Sequence, residues 1–123
     1  MKYSFTNRTG GVSTGAFASL NFGFHVADDP EKVIANREAL KNQLGPVQFM
    51  SQEHGKRIVL VEEVINEDPI ADALVSGIPG VNLAVQVADC IPLLLSSDHA
   101  VAAVHVGRRG LVNGVALYTM AGR

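Results

Sequence analysis

With 123 residues the chain has room for one domain of the usual size, about 100–150 residues, and none for two independent catalytic domains. Hydrophobic residues make up 47% and charged residues 18%, enough for a core and too little charge for a disordered tail. Against 12 Asp+Glu stand 10 Lys+Arg, a net charge of −2 without the clustered basic charge that nucleic acid or an anionic membrane surface requires, so the expected partner is a small molecule or a protein.

The first eight residues, Met1 to Arg8, lack the apolar centre of a signal peptide, and no apolar run approaches the ~20 residues that span a bilayer. Tyr3 to Thr6 reads as a short strand, followed by a glycine-rich loop, Gly10-Gly11-Val12-Ser13-Thr14-Gly15. Asp28-Asp29-Pro30-Glu31 is a helix start: an Asp cap, Pro at the first helical position and acid in the first turn. The helix is expected to run to about Leu44 and to stop at Gly45-Pro46, with an inward stripe of Val33, Arg37, Leu40 and Leu44 and a carboxylate partner for Arg37. Short β-branched runs then predict strands at Val47–Met50, Arg57–Val61, Ala71–Val75, Val81–Val87, Ile91–Leu95 and Ala100–Val106. Several are apolar at nearly every position, as in a sheet covered on both faces. A second helix is expected over Leu111–Met120. The fold class is therefore α/β (α+β), a mixed sheet with flanking helices, in a single domain over residues 1–123.

One cysteine, Cys90, makes an intrachain disulfide impossible and points to a reducing, cytoplasmic setting. Cys90, His54 and His105 each fall at a predicted strand end beside a turn, where a rigid sheet presents side chains to a cleft. Two His and one Cys suit zinc, and three protein ligands with an open position is the pattern of catalytic zinc. The intervals of 36 and 15 residues lack the local ligand pairs that make zinc motifs specific. Two other readings therefore stay open. Cys90 with His105 as base and Asp89 as orienter makes a cysteine hydrolase, which leaves His54 spare. Alternatively, Cys90 is a small buried hydrophobe and the histidines are satisfied polar residues. Arg8 with the Gly10–Ser13 loop could bind an anion, whereas His25 and His99 read as solvated loop residues. Arg108-Arg109 stand at a predicted helix start, where the dipole disfavours cations.

Taken in order, Phe5-Thr6-Asn7-Arg8-Thr9-Gly10-Gly11-Val12-Ser13, Ser19-Leu20-Asn21-Phe22-Gly23-Phe24-His25-Val26, Asn36-Arg37, Gln52-Glu53-His54-Gly55, Ala71-Asp72-Ala73-Leu74-Val75, Ala88-Asp89-Cys90-Ile91-Pro92 and His105-Val106-Gly107-Arg108-Arg109-Gly110 resemble the YfiH-like laccase-domain family, also called polyphenol oxidoreductases or peptidoglycan editing factors. The resemblance runs from residue 5 to about residue 120. It implies a metal, zinc with copper as the alternative, on His54, Cys90 and His105. It also implies an enzyme acting on purine nucleosides, by phosphorolysis of adenosine, inosine or methylthioadenosine or by adenosine deamination. Asp89 would handle a proton beside Cys90 and His105, and Arg8, Ser13 and Arg109 would hold phosphate or a polar substrate group. Alternative activities within the resemblance are a copper phenol oxidase, a cell-wall-precursor editing hydrolase using Cys90 and His105, and an inactive paralogue serving as an interaction module. A single His/Cys/His set ranks the oxidase last. Family members have Trp where Arg108 stands and an apolar residue where Glu53 stands. They also run to about twice this length, so the chain is expected to be a fragment or to complete itself as a homodimer.

Overall fold

The computed structural model describes residues 2–88 and 90–107, so the helix expected at 111–120 lies outside the described residues, as do Asp89, Arg108 and Arg109. The described architecture is one α-helix and six short strands in two mixed or parallel sheets, as the α/β reading requires. The chain divides into two compact units, Met1–Gly45 and Pro46–Arg123.

In the first unit α1 spans Pro30–Leu44. It begins and ends where its sequence signals place it. The Asp29 side chain accepts from the Glu31 amide at 3.0 Å, Pro30 occupies a position whose N–H would have no helical partner, and Gly45 takes φ +85° with its amide on Lys41 O. The buried face differs from the expected stripe. Val33, Asn36 and Arg37 are buried, while Leu44 is exposed. Asn36 explains the shift: its Nδ2 donates to Ser13 Oγ, Ser19 O and Asn21 O, and its Oδ1 accepts from Val12 N. The helix thus faces the glycine-rich loop with a saturated amide. Arg37 lies beside it, its Nε on Phe22 O at 2.8 Å and its guanidinium over the Phe24 ring. No strand forms at Tyr3–Thr6. A strand needs a hydrogen-bonded neighbour, and Tyr3 and Phe5 are instead exposed, edge to face with each other.

The second unit carries a strand in each of the six predicted runs from Val47 onward, four of them shortened, β3 shifted to end at Ser76 and β5 one residue longer than expected. β1 (Val47–Gln48) lies parallel to β4 (Asn82–Leu83). The larger sheet has the order β2 (Ile58–Leu60), β3 (Ala73–Ser76), β6 (Val101–Val106), β5 (Ile91–Ser96), with β2 and β3 parallel and the other pairs antiparallel. Among the described residues β5 is an edge strand, the place in a sheet that tolerates Pro92. The inner strands are the apolar ones, and strand alternation sends their side chains into two clusters. Ala73, Val75, Ala102, Val104 and Val106 form one cluster, and Leu74 joins Met50, Val61 and Ala71 in the other. Their burial fixes the register, since a one-residue slip would exchange the two faces. That register sets His105 at the end of β6 beside Asp72, whose carbonyl accepts from the His105 amide at 2.8 Å.

Candidate metal centre

Three chain segments meet at this end of the sheet: the turn 52–55, the approach to β5, and the end of β6. The turn is held by side chains acting as backbone. Gln52 donates through Nε2 to Gln86 O at 2.7 Å and accepts the Gln86 amide at 2.8 Å, which pins the His54 turn against the segment leading to Cys90. His54 itself adopts φ +61°, the left-handed region that costs a non-glycine residue roughly 1–2 kcal/mol. The compensation comes from Asp72. Its carboxylate accepts three successive amides, Glu53 at 3.2 Å, His54 at 2.9 Å and Gly55 at 2.9 Å. Such a run of converging N–H groups is an anion nest, here filled by the protein's own side chain.

Asp72 also binds His105 Nδ1, at 2.8 Å from Oδ2. Both residues are buried, at 0% and 2% exposure. Burial by itself would raise the Asp72 pKa, but the bonds from His105 and from the amides of Gly55, Glu53 and His54 outweigh it, and the carboxyl is held below its ordinary value. With Nδ1 engaged, Nε2 is the nitrogen His105 can offer elsewhere.

It offers it to a shared point. One ligand atom from each of His54, Cys90 and His105 lies within 4.8 Å of the others, Cys90 Sγ stands 3.9 Å from His54 Nε2, and the two imidazoles meet edge to face with centroids 4.8 Å apart. Tetrahedral zinc with bonds of about 2.0–2.3 Å separates its ligand atoms by roughly 3.3–3.7 Å, so a small contraction of this cluster meets the requirement. Gly107 makes room for it. A Cβ there would lie 2.8 Å from His54 Cδ2, 3.4 Å from Cys90 Sγ and 3.5 Å from His105 Cε1, directly among the three donors. The residues present fit a metal ion, and the donor set, one thiolate and two imidazoles, is of the borderline-soft kind that zinc or copper prefers.

The sequence matches the family described as multi-copper polyphenol oxidoreductase laccase over residues 2–122. The chain belongs to this laccase-domain family. Relatives include a Corynebacterium glutamicum protein named purine nucleoside phosphorylase, 43% identical over 95% of this chain and 51% of its own length, and a Streptomyces griseus protein of the same name, 43% identical over 92% and 50%. Among solved structures, the fold is similar to that of Neisseria meningitidis NMB0706 (TM-score 0.88, 46% identity, 94% of this chain and 49% of that one) and of YlmD from Geobacillus stearothermophilus (TM-score 0.85, 33% identity, 93% and 48%). The chain spans about half the length of the relatives it matches.

Within this laccase-domain chain the remaining predicted residues are distributed unevenly. Arg8 and Ser13 belong to the first unit and are engaged there. Arg8 Nε donates to Ala18 O at 2.7 Å, and the Ser13 hydroxyl donates to Asp28 while accepting from Asn36. His25 is an exposed loop residue, and His99 lies in the β5–β6 hairpin loop, where its amide binds Ser97 Oγ. The carboxylate holding His105 is Asp72, whereas the cysteine-hydrolase reading gives that place to Asp89, which lies outside the described residues. Asp72, quoted from the sequence only within the Ala71–Val75 block and given no role there, is the site residue that sequence reasoning missed. Its signal was there: one acid at the head of an otherwise apolar strand must find partners if it is buried. No helix among the described residues is long and apolar enough to cross a membrane.

Proposed function

We propose that this laccase-domain chain holds a zinc ion on His54, Cys90 and His105 and acts on purine nucleosides, by phosphorolysis or deamination. The convergence of the three donor atoms, 36 and 15 residues apart in the chain, carries the metal part of this reading. The substrate class rests on relatives at 43% identity that are named purine nucleoside phosphorylase. When bound, the ion supplies a Lewis acid with an open position, able to polarise an oxygen of the substrate or of the attacking water or phosphate. The chain's own part is to present His54, Cys90 and His105 in one cluster and to keep His105 oriented through Asp72. Asp89, next to Cys90 in sequence, is the proposed proton carrier. Arg8, Ser13 and Arg109 are the proposed substrate contacts. Ser13 is the least suited of them, because its hydroxyl is engaged by Asp28 and Asn36.

Copper is the alternative metal. The described residues bring together one three-donor group, which favours mononuclear polar chemistry over a multi-copper oxidase. A metal-free Cys90–His105 hydrolase is disfavoured by the presence of His54 in the same cluster.

The test is metal analysis of the purified protein together with turnover of inosine and adenosine, with and without phosphate, for the wild type and Cys90→Ala. The expected result is near-stoichiometric zinc and chelator-sensitive turnover, both lost in the variant. Sub-stoichiometric zinc, with turnover intact in Cys90→Ala, overturns the reading.

A further inference from the structure

We propose that Asp72 is the positioning residue of this centre: a single carboxylate fixes both the tautomer of His105 and the left-handed turn of His54, so that the two rings converge beside Cys90. The inference rests on the metal reading above for its purpose, and on hydrogen bonds for its substance.

Asp72 Oδ2 is shared between the His54 amide and His105 Nδ1, 2.9 and 2.8 Å away, while Oδ1 takes the amides of Glu53 and Gly55. These two donors stand 51 residues apart, the difference between 105 and 54, and meet through one side chain. Neutral imidazole in water favours the proton on Nε2, which would turn a protonated nitrogen toward the other donors. An ionised carboxylate has no proton to give, so it forces the opposite tautomer, with Nδ1–H on Asp72 and a lone pair on Nε2. At His54 the same group compensates a backbone conformation that the residue would otherwise leave. A carboxylate that only satisfied loop amides would need no imidazole. The bond to His105 marks the second task.

Asp72→Asn separates the two tasks from simple burial. An amide has one acceptor oxygen where the carboxylate has two, so its NH₂ must face either the His54 and His105 donors or those of Glu53 and Gly55. The tautomer is read by long-range ¹⁵N imidazole spectroscopy of the metal-free protein, at a pH where histidine is neutral, and zinc affinity by competition with a chromophoric chelator. The wild type is expected to show His105 protonated at Nδ1. In Asp72→Asn either the NH₂ faces His105 and its proton moves toward Nε2, or the NH₂ faces the Glu53 and Gly55 amides and the His54 turn loses two of its three holds; in both cases zinc affinity is expected to fall roughly 10–100-fold, the usual cost of losing a ligand's outer partner. A variant with both the wild-type tautomer and the wild-type zinc affinity overturns the proposal. So does a wild type with its His105 proton on Nε2, a measurement that decides the matter even if the variant fails to fold. A wild type with Nδ1–H on His105 that takes up no zinc supports the hold of Asp72 on the ring and defeats the metal reading alone.

Discussion

Each unit has a buried polar side chain that gathers four hydrogen bonds, Asn36 in the first and Asp72 in the second, and they differ in what those bonds hold. In the first unit Asn36 gathers Val12, Ser13, Ser19 and Asn21, a set of backbone groups and one hydroxyl whose capacity is used internally. In the second unit Asp72 gathers the turn 53–55 and the ring of His105, and two of its partners keep a nitrogen for something else. The same physical device, a buried polar hub, therefore ties a loop to a helix in one place and orients two candidate ligand residues in the other. The difference lies in the outer ends of the residues held. A neutral amide suits a knot of mixed donors and acceptors, whereas a carboxylate, acceptor only, imposes protonation on whatever ring it binds.

The largest expected effect tests the structural hub. Asn36→Ala removes four hydrogen bonds at a site 1% exposed and leaves the Val12 amide without its acceptor, so a loss of about 2–3 kcal/mol is expected in chemical denaturation. Metal uptake should survive below the melting transition. A variant that lost its metal while still folded would break the distinction between the two hubs.

Gly107→Ala addresses the other side. The added methyl group comes within 2.8 Å of His54 Cδ2, and because His54 is exposed its ring can swing away, taking a donor with it. Zinc affinity is expected to drop roughly tenfold or more, with stability changed by less than about 1 kcal/mol. Unchanged affinity in a chelator competition would show that the three donors do not need the space Gly107 leaves.

The smallest effect sharpens the comparison through pH. The Asp28 carboxyl is held below its ordinary 3.8, first by the Ser13 hydroxyl, against desolvation, and further by Asn21, the Asp29 amide and Lys32. A carboxylate with a lowered folded value stabilises the fold above pH 3.8 and loses that contribution as pH falls through the lower value. In Ser13→Ala the Asp28 titration, followed by carboxyl NMR, is expected to move up toward 3.8, and acid unfolding to begin at higher pH. An unmoved titration would mean that the hydroxyl is not the main cause.

Much of the second unit was legible because strand signals are local. Each β-branched run from Val47 to Val106 became a strand, and the Asp29-Pro30 start and Gly45 stop of α1 fell where capping chemistry puts them. The inward face of α1 was less legible. Helical spacing placed Val33 and Arg37 inward, as found, but favoured Leu44 over Asn36; Asn36 is buried because the loop packed on it presents backbone carbonyls and amides that an apolar stripe could not satisfy. At the candidate metal centre His54, Cys90 and His105 could be named as candidates from their residue types, but not Asp72 or Gly107, whose place there depends on which strands become neighbours.

The sequence by itself determined α1 and the strands from Val47 onward, the reactive inventory and the family, since all of these depend on residue identity and short spacing. Only the tertiary structure decided that β3 and β6 pair in the register that sets Asp72 beside His105, and that the 52–55 turn closes over the same carboxylate. The physical reason is that strand pairing is fixed by burial across the whole sheet. Two residues 33 positions apart meet when the alternating apolar faces on either side of them find their places.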